Sequence, residues 1–197
     1  MSKIKACVIG ASGYSGIELL AILFRHPQVE IQSICALEET GKRLDAVFPY
    51  FLGRSELKFI PVDDAIKARP DVVFFATPDG VAMQYVGQFI SSGAKVIDIS
   101  GDFRFKDISI YEKWYGKKHT EPELLAGSTY GLCELFRSNI QKSNLIANPG
   151  CYPTCAILSI TPLLSEGYSD SFIVDAKSGI SGAGRKATQS NLFAERN

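Results

Sequence analysis

Apolar and polar positions along the first hundred residues alternate between two periods. Residues 3–9, KIKACVI, form a short strand pattern that runs into GASGYSG. Ile17, Leu20, Ala21 and Phe24 then recur at helical spacing until His26-Pro27 ends the run, predicting strand, glycine turn and helix in succession. A second strand is expected from Val29 to Leu37, followed by a polar loop from Glu38 to Lys42. The Pro/Gly-containing FPYFLG at 48–53 fits no element, and Leu57 to Ile60 reads as a further strand. Asp71 to Ala76 has the continuous apolar character of a strand buried on both faces. Thr77-Pro78-Asp79-Gly80 follows, with Asp79 a candidate helix cap, and then Ala82, Tyr85, Val86 and Phe89 at helical spacing. Lys95 to Ile99 supplies the next strand. Alternation of this kind predicts the α/β class, a doubly wound parallel sheet with helices on both faces.

Beyond Ser100 the pattern changes. Residues 100–136 are rich in aromatic and charged side chains without a long period, which predicts an irregular connection with short helices. Order returns with a strand at Asn144 to Ala147, a helix from Cys151 to about Glu166 and a strand at Ser171 to Asp175. Residues 177–197 are Gly/Ser-rich and polar.

The chain has 197 residues, 46% of them hydrophobic, enough for one domain of ordinary size or one plus part of another. Twenty-one basic residues balance twenty-one acidic ones, so no overall field draws the protein to nucleic acid or a membrane, and small molecules are the expected partners. No apolar stretch approaches the ~20 residues that cross a bilayer, and MSKIKACVIG has no signal-peptide layout, which makes a cytoplasmic location the expectation. The five cysteines (Cys7, Cys35, Cys133, Cys151, Cys155) lack paired metal or redox spacing, so no metal is expected and any cysteine chemistry should be that of a single thiol.

Gly10, Gly13 and Gly16 stand where the first strand meets the first helix. Such a turn lets backbone N–H groups at a helix N-terminus approach a pyrophosphate, with Ser12 and Ser15 as possible hydroxyl donors. Thr77-Pro78 lies on the same carboxyl edge of the expected sheet. The second strand ends in Ala36-Leu37-Glu38-Glu39, which favours a free ribose hydroxyl, while Lys42-Arg43 favours a 2′-phosphate. Spacing alone favours solvated loop charges as the reading of Glu39 and Lys42.

Cys151 follows an Asn-Pro-Gly turn at the first turn of a helix, where N–H groups stabilise a thiolate and Pro153 is tolerated. Cys155 should face the same side but deeper, and with Cys7, Cys35 and Cys133 it reads as a small buried hydrophobe. A thiol with a nicotinamide points to acylation of sulfur and hydride transfer at the same carbon. Arg104, in Asp102-Phe103-Arg104, can clamp a phosphate or carboxylate, and Ser178 to Arg185 can bring N–H groups to an anion.

Five stretches together resemble the N-acetyl-gamma-glutamyl-phosphate reductases, relatives of aspartate-semialdehyde dehydrogenase. They are GASGYSGIEL, DISGDFRF, YGLCEL, NPGCYPT and DAKSGISGAGR, spread over nearly the whole chain. The resemblance implies a Rossmann-type NAD(P)-binding domain over 1–148. Residues 149–197 would be the incomplete first part of an α+β catalytic and dimerisation domain. It implies that Cys151 takes the acyl group from N-acetyl-glutamyl 5-phosphate and that the thioester is reduced to the semialdehyde. Gly10, Ser12, Gly13, Tyr14, Ser15, Gly16, Thr77, Pro78, Ser181 and Gly182 would contact the dinucleotide, NADP with NAD as the alternative. Arg104 and Asn148 would serve the substrate, and a homo-oligomer, dimer or tetramer, is implied.

The chain departs from that pattern in two places. The family's acid/base histidine lies beyond SGAGR, whereas the histidines here are His26, read as a helix-end residue, and His119, read as a surface one. Truncation relative to the family is therefore expected, with cofactor binding surviving better than turnover. Cys133 stands where YGLPEL-like segments carry proline. Alternative readings are the same chemistry on N-acetyl-aminoadipyl phosphate or a carrier-bound acyl group, and a non-catalytic nucleotide-binding module. A cysteine hydrolase would leave GASGYSG unexplained.

Overall fold

In the computed structural model, residues 2–186, 188, 189, 192 and 195 are described. The chain divides into two compact units, Met1–Asn148 and Pro149–Asn197. In the first, β1 (Ile4–Ile9), α1 (Tyr14–Leu23), β2 (Val29–Cys35), α2 (Leu44–Val47), α3 (Val62–Lys67), β3 (Val72–Phe75), α4 (Ala82–Ser91) and β4 (Lys95–Asp98) follow in order. Then come α5 (Ile108–Tyr115), α6 (Pro122–Gly127), β5 (Thr129–Tyr130), α7 (Cys133–Lys142) and β6 (Leu145–Ala147). The six strands form one sheet in the order β2-β1-β3-β4-β6-β5, with every pair parallel. The doubly wound α/β architecture expected from the alternating periods is therefore present.

The sheet is buried on both faces because each central strand feeds two cores. From β1, Cys7 and Ile9 join Val73, Phe75, Val86, Phe89 and Val96 on one side. Ala6 and Val8, one residue out of phase, join Leu20, Ile34, Phe51 and Phe59 on the other. The order of strands reverses between β1 and β3, which opens a crevice at their carboxyl ends, the usual ligand position in such sheets.

Several expected elements differ. Leu57 to Ile60 is not a strand, because only isolated bridges, Ile34 to Phe59 and Arg43 to Lys58, form there. The strand at Val29 ends at Cys35, and Leu37–Glu39 turns into a short 3-10 helix. FPYFLG contains a 3-10 turn, Pro49–Phe51, whose Phe51 is fully buried.

In the second unit, α8 spans Cys151–Ser165 and a 3-10 turn spans Ile180–Ala183. Ser171 to Asp175 forms no strand: it pairs with no described residue, and Ile173 is 99% exposed. Among the described residues no helix is long and apolar enough to cross a membrane.

Candidate functional site

The glycine turn separates into positions the fold demands and one it does not. Gly10 has φ +82°, and a Cβ there would lie 2.2 Å from the Ala76 carbonyl oxygen. At Gly16 a Cβ would lie 2.3 Å from the Gly10 carbonyl oxygen, so α1 is pressed against the end of β1. Gly13 is different, since a Cβ there would meet nothing closer than the Gly10 oxygen at 3.5 Å. It is the N-cap of α1 and supplies no side-chain cap, leaving the first-turn N–H groups of α1 without one.

Gly10 and Ala11 N–H both donate to the Cys35 carbonyl, at 2.9 and 3.0 Å, which joins the turn to the end of β2. On the opposite side the Thr77 methyl lies 3.1 Å from the Cβ position of Gly10. The Thr77 hydroxyl oxygen is buried with no hydrogen-bond partner. An uncapped helix N-terminus beside an orphaned hydroxyl is a donor set that fits a dinucleotide pyrophosphate. Ser12 is half-buried, and Tyr14 and Ser15 are exposed at the same turn.

The segment after β4 is tied to the Thr77 turn by reciprocal bonds. Asp79 accepts from the Gly101 N–H at 2.6 Å. Asp102 accepts from the N–H groups of Gly80 at 2.6 Å and Met83 at 3.3 Å. Asp79 is therefore not the cap of α4, whose N-cap is Val81; the fully buried Asp102, from a distant loop, takes that role. The Tyr111 hydroxyl donates to Asp102 at 3.0 Å, and burial followed by that carboxylate's charge pushes the phenol's pKa up.

His119 is not a surface residue. It is 6% exposed, its Nε2 lies 2.9 Å from the Asp102 carbonyl oxygen, and its Nδ1 accepts from the Glu121 N–H at 3.1 Å. Because Nδ1 is an acceptor, Nε2 carries the proton in the neutral ring and donates to Asp102. Its aromatic neighbours Phe103 and Tyr111 meet it edge-on. Asp98, at the end of β4, is fully buried. One carboxylate oxygen accepts from the Ser100 N–H at 2.9 Å and the other has no partner. Burial pushes its pKa up to about 7.

Arg104 and Asn148 are brought together. The Arg104 Nε donates to the Asn148 carbonyl at 2.8 Å and Nη2 to the Ile99 carbonyl at 2.8 Å, while Nη1 is 3.4 Å from the Tyr115 hydroxyl. The guanidinium is thus held by backbone oxygens and keeps unused N–H donors on Nη1 and Nη2.

In the second unit Cys151 is the first residue of α8. Gly150 is the N-cap without a side-chain cap, and Pro153 falls in the first turn. Thr154 N–H and Oγ1 both bond the Gly150 carbonyl, at 3.0 and 2.9 Å, fixing the turn from within. The Cys151 thiol is exposed. Cys155 is exposed as well, not hidden, because no residue of α8 is buried; Cys133, at the start of α7, is also exposed. Only Cys7 and Cys35 are buried, as expected of small hydrophobes. Ser181 and Gly182 lie in the Ile180–Ala183 turn, with Gly182 N–H bonded to the Gly179 carbonyl at 3.0 Å.

Beyond β2, Glu39, Lys42 and Arg43 are paired. Lys42 meets Glu39 at 2.8 Å. Arg43 grips both oxygens of Asp45, at 2.9 and 2.7 Å, and reaches Glu56 at 3.3 Å. Sequence reasoning missed Asp98, Asp102 and Tyr111 as members of the site's support. The one available signal was the pair of aspartates four residues apart in DISGD, at the end of a strand.

The sequence matches the semialdehyde dehydrogenase NAD-binding domain over residues 5–143 and the semialdehyde dehydrogenase dimerisation domain over 151–197. It is 48% identical over 194 residues to the N-acetyl-gamma-glutamyl-phosphate reductase of Nitrosospira multiformis, covering 98% of this chain and 57% of that protein. Against the reductase of the same name from Ruthia magnifica the figures are 48%, 98% and 58%. The chain thus spans a little over half the length of the curated relatives it matches.

Among solved structures, aspartate semialdehyde dehydrogenase II from Vibrio cholerae complexed with ASA superposes with TM-score 0.64 at 16% identity, over 94% of this chain and 49% of that one. The Candida albicans aspartate semialdehyde dehydrogenase with NADP gives 0.58 at 16%, over 84% and 48%. These likenesses show the fold. The match over residues 5–143 establishes that this chain belongs to the semialdehyde dehydrogenase NAD-binding domain family.

Proposed function

We propose that this chain carries the dinucleotide-binding half and the nucleophile of an N-acetyl-gamma-glutamyl-phosphate reductase, reducing N-acetyl-glutamyl 5-phosphate to the semialdehyde with release of phosphate. The observation that carries the reading is Cys151, an exposed thiol at the first position of a helix whose N-terminus has no side-chain cap. The names of relatives at 48% identity support the substrate.

The Cys151 thiolate attacks the acyl carbon, the new C–S bond replaces the C–O bond to phosphate, and inorganic phosphate leaves with the bonding pair. The first-turn N–H groups of α8 stabilise the thiolate before attack. Arg104, preoriented by Ile99 and Asn148, offers its remaining N–H donors to the phosphate or carboxylate of the substrate. The same sulfur is the leaving group when the aldehyde departs. A reduced nicotinamide dinucleotide, when bound, supplies the hydride. Gly13, the α1 N–H groups and the Thr77 hydroxyl would hold its pyrophosphate, with Ser12, Tyr14, Ser15, Gly16 and Pro78 around it; Ser181 and Gly182 are assigned to the dinucleotide by the resemblance alone. The resemblance and the NADP-containing relative favour NADPH, whereas the charges beyond β2 favour NADH. The match to a dimerisation domain supports a homo-oligomer.

Mass spectrometry after mixing the protein with the acyl phosphate tests the reading. A thioester is expected on the Cys151 peptide and none on Cys151→Ala. An adduct on Cys133 or Cys155 in its place overturns the assignment.

A further inference from the structure

The carboxyl end of β2 lies beside the glycine turn, since Cys35 receives both the Gly10 and the Ala11 N–H. In a doubly wound sheet the adenosine ribose of a dinucleotide bound at that turn reaches this strand end. What the chain places there is Leu37, 95% exposed, then Glu38 and Glu39 in a 3-10 turn. Glu38 is exposed and enters no ion pair among the described residues.

The two cations that follow this turn in the chain, Lys42 and Arg43, are committed elsewhere. Arg43 holds Asp45 through two parallel bonds, and Asp45 is only 8% exposed. Moving the guanidinium to a ligand would strand that carboxylate without its partner, a cost no surface pair incurs. Lys42 is bound to Glu39, whose side chain is 16% exposed. Its exposed ammonium could swing away at little cost, but it would then leave Glu39 beside the incoming group, so the local charge is unchanged. A 2′-phosphate arriving here meets the Glu38 and Glu39 carboxylates, and Arg43 is not free to receive it. A 2′-hydroxyl meets an acceptor it can donate to.

Resting on the dinucleotide reading above, we propose that the adenosine end of this site selects the unphosphorylated dinucleotide, with Glu38 as the specificity-determining residue. NADH, not NADPH, is then the preferred hydride donor. The inference concerns binding at the first unit alone and does not depend on turnover.

Isothermal titration of the full 197-residue chain with NADH and NADPH in separate runs tests it. NADH should bind at least about tenfold more tightly, the scale expected when like charges are brought together. Glu38→Gln should narrow that ratio by strengthening NADPH and weakening NADH, with an unchanged melting temperature showing that the fold is intact. Tighter binding of NADPH by the wild-type chain overturns the selectivity and leaves the dinucleotide site standing. An unchanged ratio in Glu38→Gln overturns Glu38 as its source. Binding of neither nucleotide overturns the dinucleotide reading and this inference with it.

Discussion

Two strand-to-helix turns of this chain, after β1 and after β6, are built from similar material and held by different means. At Gly10–Gly16 the backbone is locked on all sides: β1 is paired with β2 and β3, a Cβ at Gly10 or Gly16 would clash, and Asp79 and Asp102 tie the adjacent turn to the loop beyond β4. At Asn148–Cys151 the turn leads into α8, an apolar helix in which no residue is buried. The first turn gets its shape from tertiary packing throughout, whereas the second is held by distant groups at Asn148, through the Asp98 carbonyl and Arg104, and by local ones from Gly150 onward, through Thr154. An apolar pattern specifies an element in both places, but fully buried residues are found in α1 and not in α8.

That contrast can be broken most forcefully at Gly10. Gly10→Ala must move the Ala76 carbonyl and adopt a left-handed backbone, so a loss of more than about 3 kcal/mol is expected, read by urea denaturation. Asp102→Ala should cost about 2–4 kcal/mol, because it leaves the Gly80 N–H and the buried Tyr111 hydroxyl without their acceptor. Asp102→Asn should recover part of that loss.

Thiol labelling sharpens the comparison from the other side. Cys151, Cys155 and Cys133 should react with maleimide in the native protein, and Cys7 and Cys35 only on unfolding. Labelling of Cys7 at the rate of Cys155 would show that the first unit is not closed.

An effect of comparable size, read against pH, is expected at Asp98. Its carboxyl, raised to about 7 from 3.8, keeps its proton in the folded chain across a range where the unfolded chain has lost it. Stability contributed by this group is therefore complete below pH 3.8, declines as pH rises, and is lost above about 7. Asp98→Asn should flatten the stability profile across that window. The smallest effect is predicted in α8, where Leu163→Ala, at a position 43% exposed, should change stability by less than about 0.5 kcal/mol.

What could be read without coordinates follows the range of the interactions. The parallel sheet and the two turns were legible because period and glycine placement are local. Leu57 to Ile60 and Ser171 to Asp175 have strand-like composition, yet a strand exists only with a partner, and composition does not name one. The cap of α4 was assigned to Asp79, the nearest acid, whereas Asp102 arrives from 22 residues beyond Gly80. His119 looked superficial because its neighbours in sequence are charged; its partner, the Asp102 carbonyl, lies 17 residues away. Of the candidate site, the donors were visible in the sequence and the scaffold that aims them was not.

The order of strands also sets a schedule for synthesis. β5 pairs only with β6, and the free side of β4 is also filled by β6. A nascent chain emerging from the ribosome can assemble β2, β1, β3 and β4 early, but Thr129–Tyr130 has no place to dock until Leu145–Ala147 has been made. Arg104 waits with it, since the Asn148 carbonyl that receives its Nε follows directly after β6. Three residues inserted late between β4 and β5 thus complete the edge of the sheet and fix the arginine.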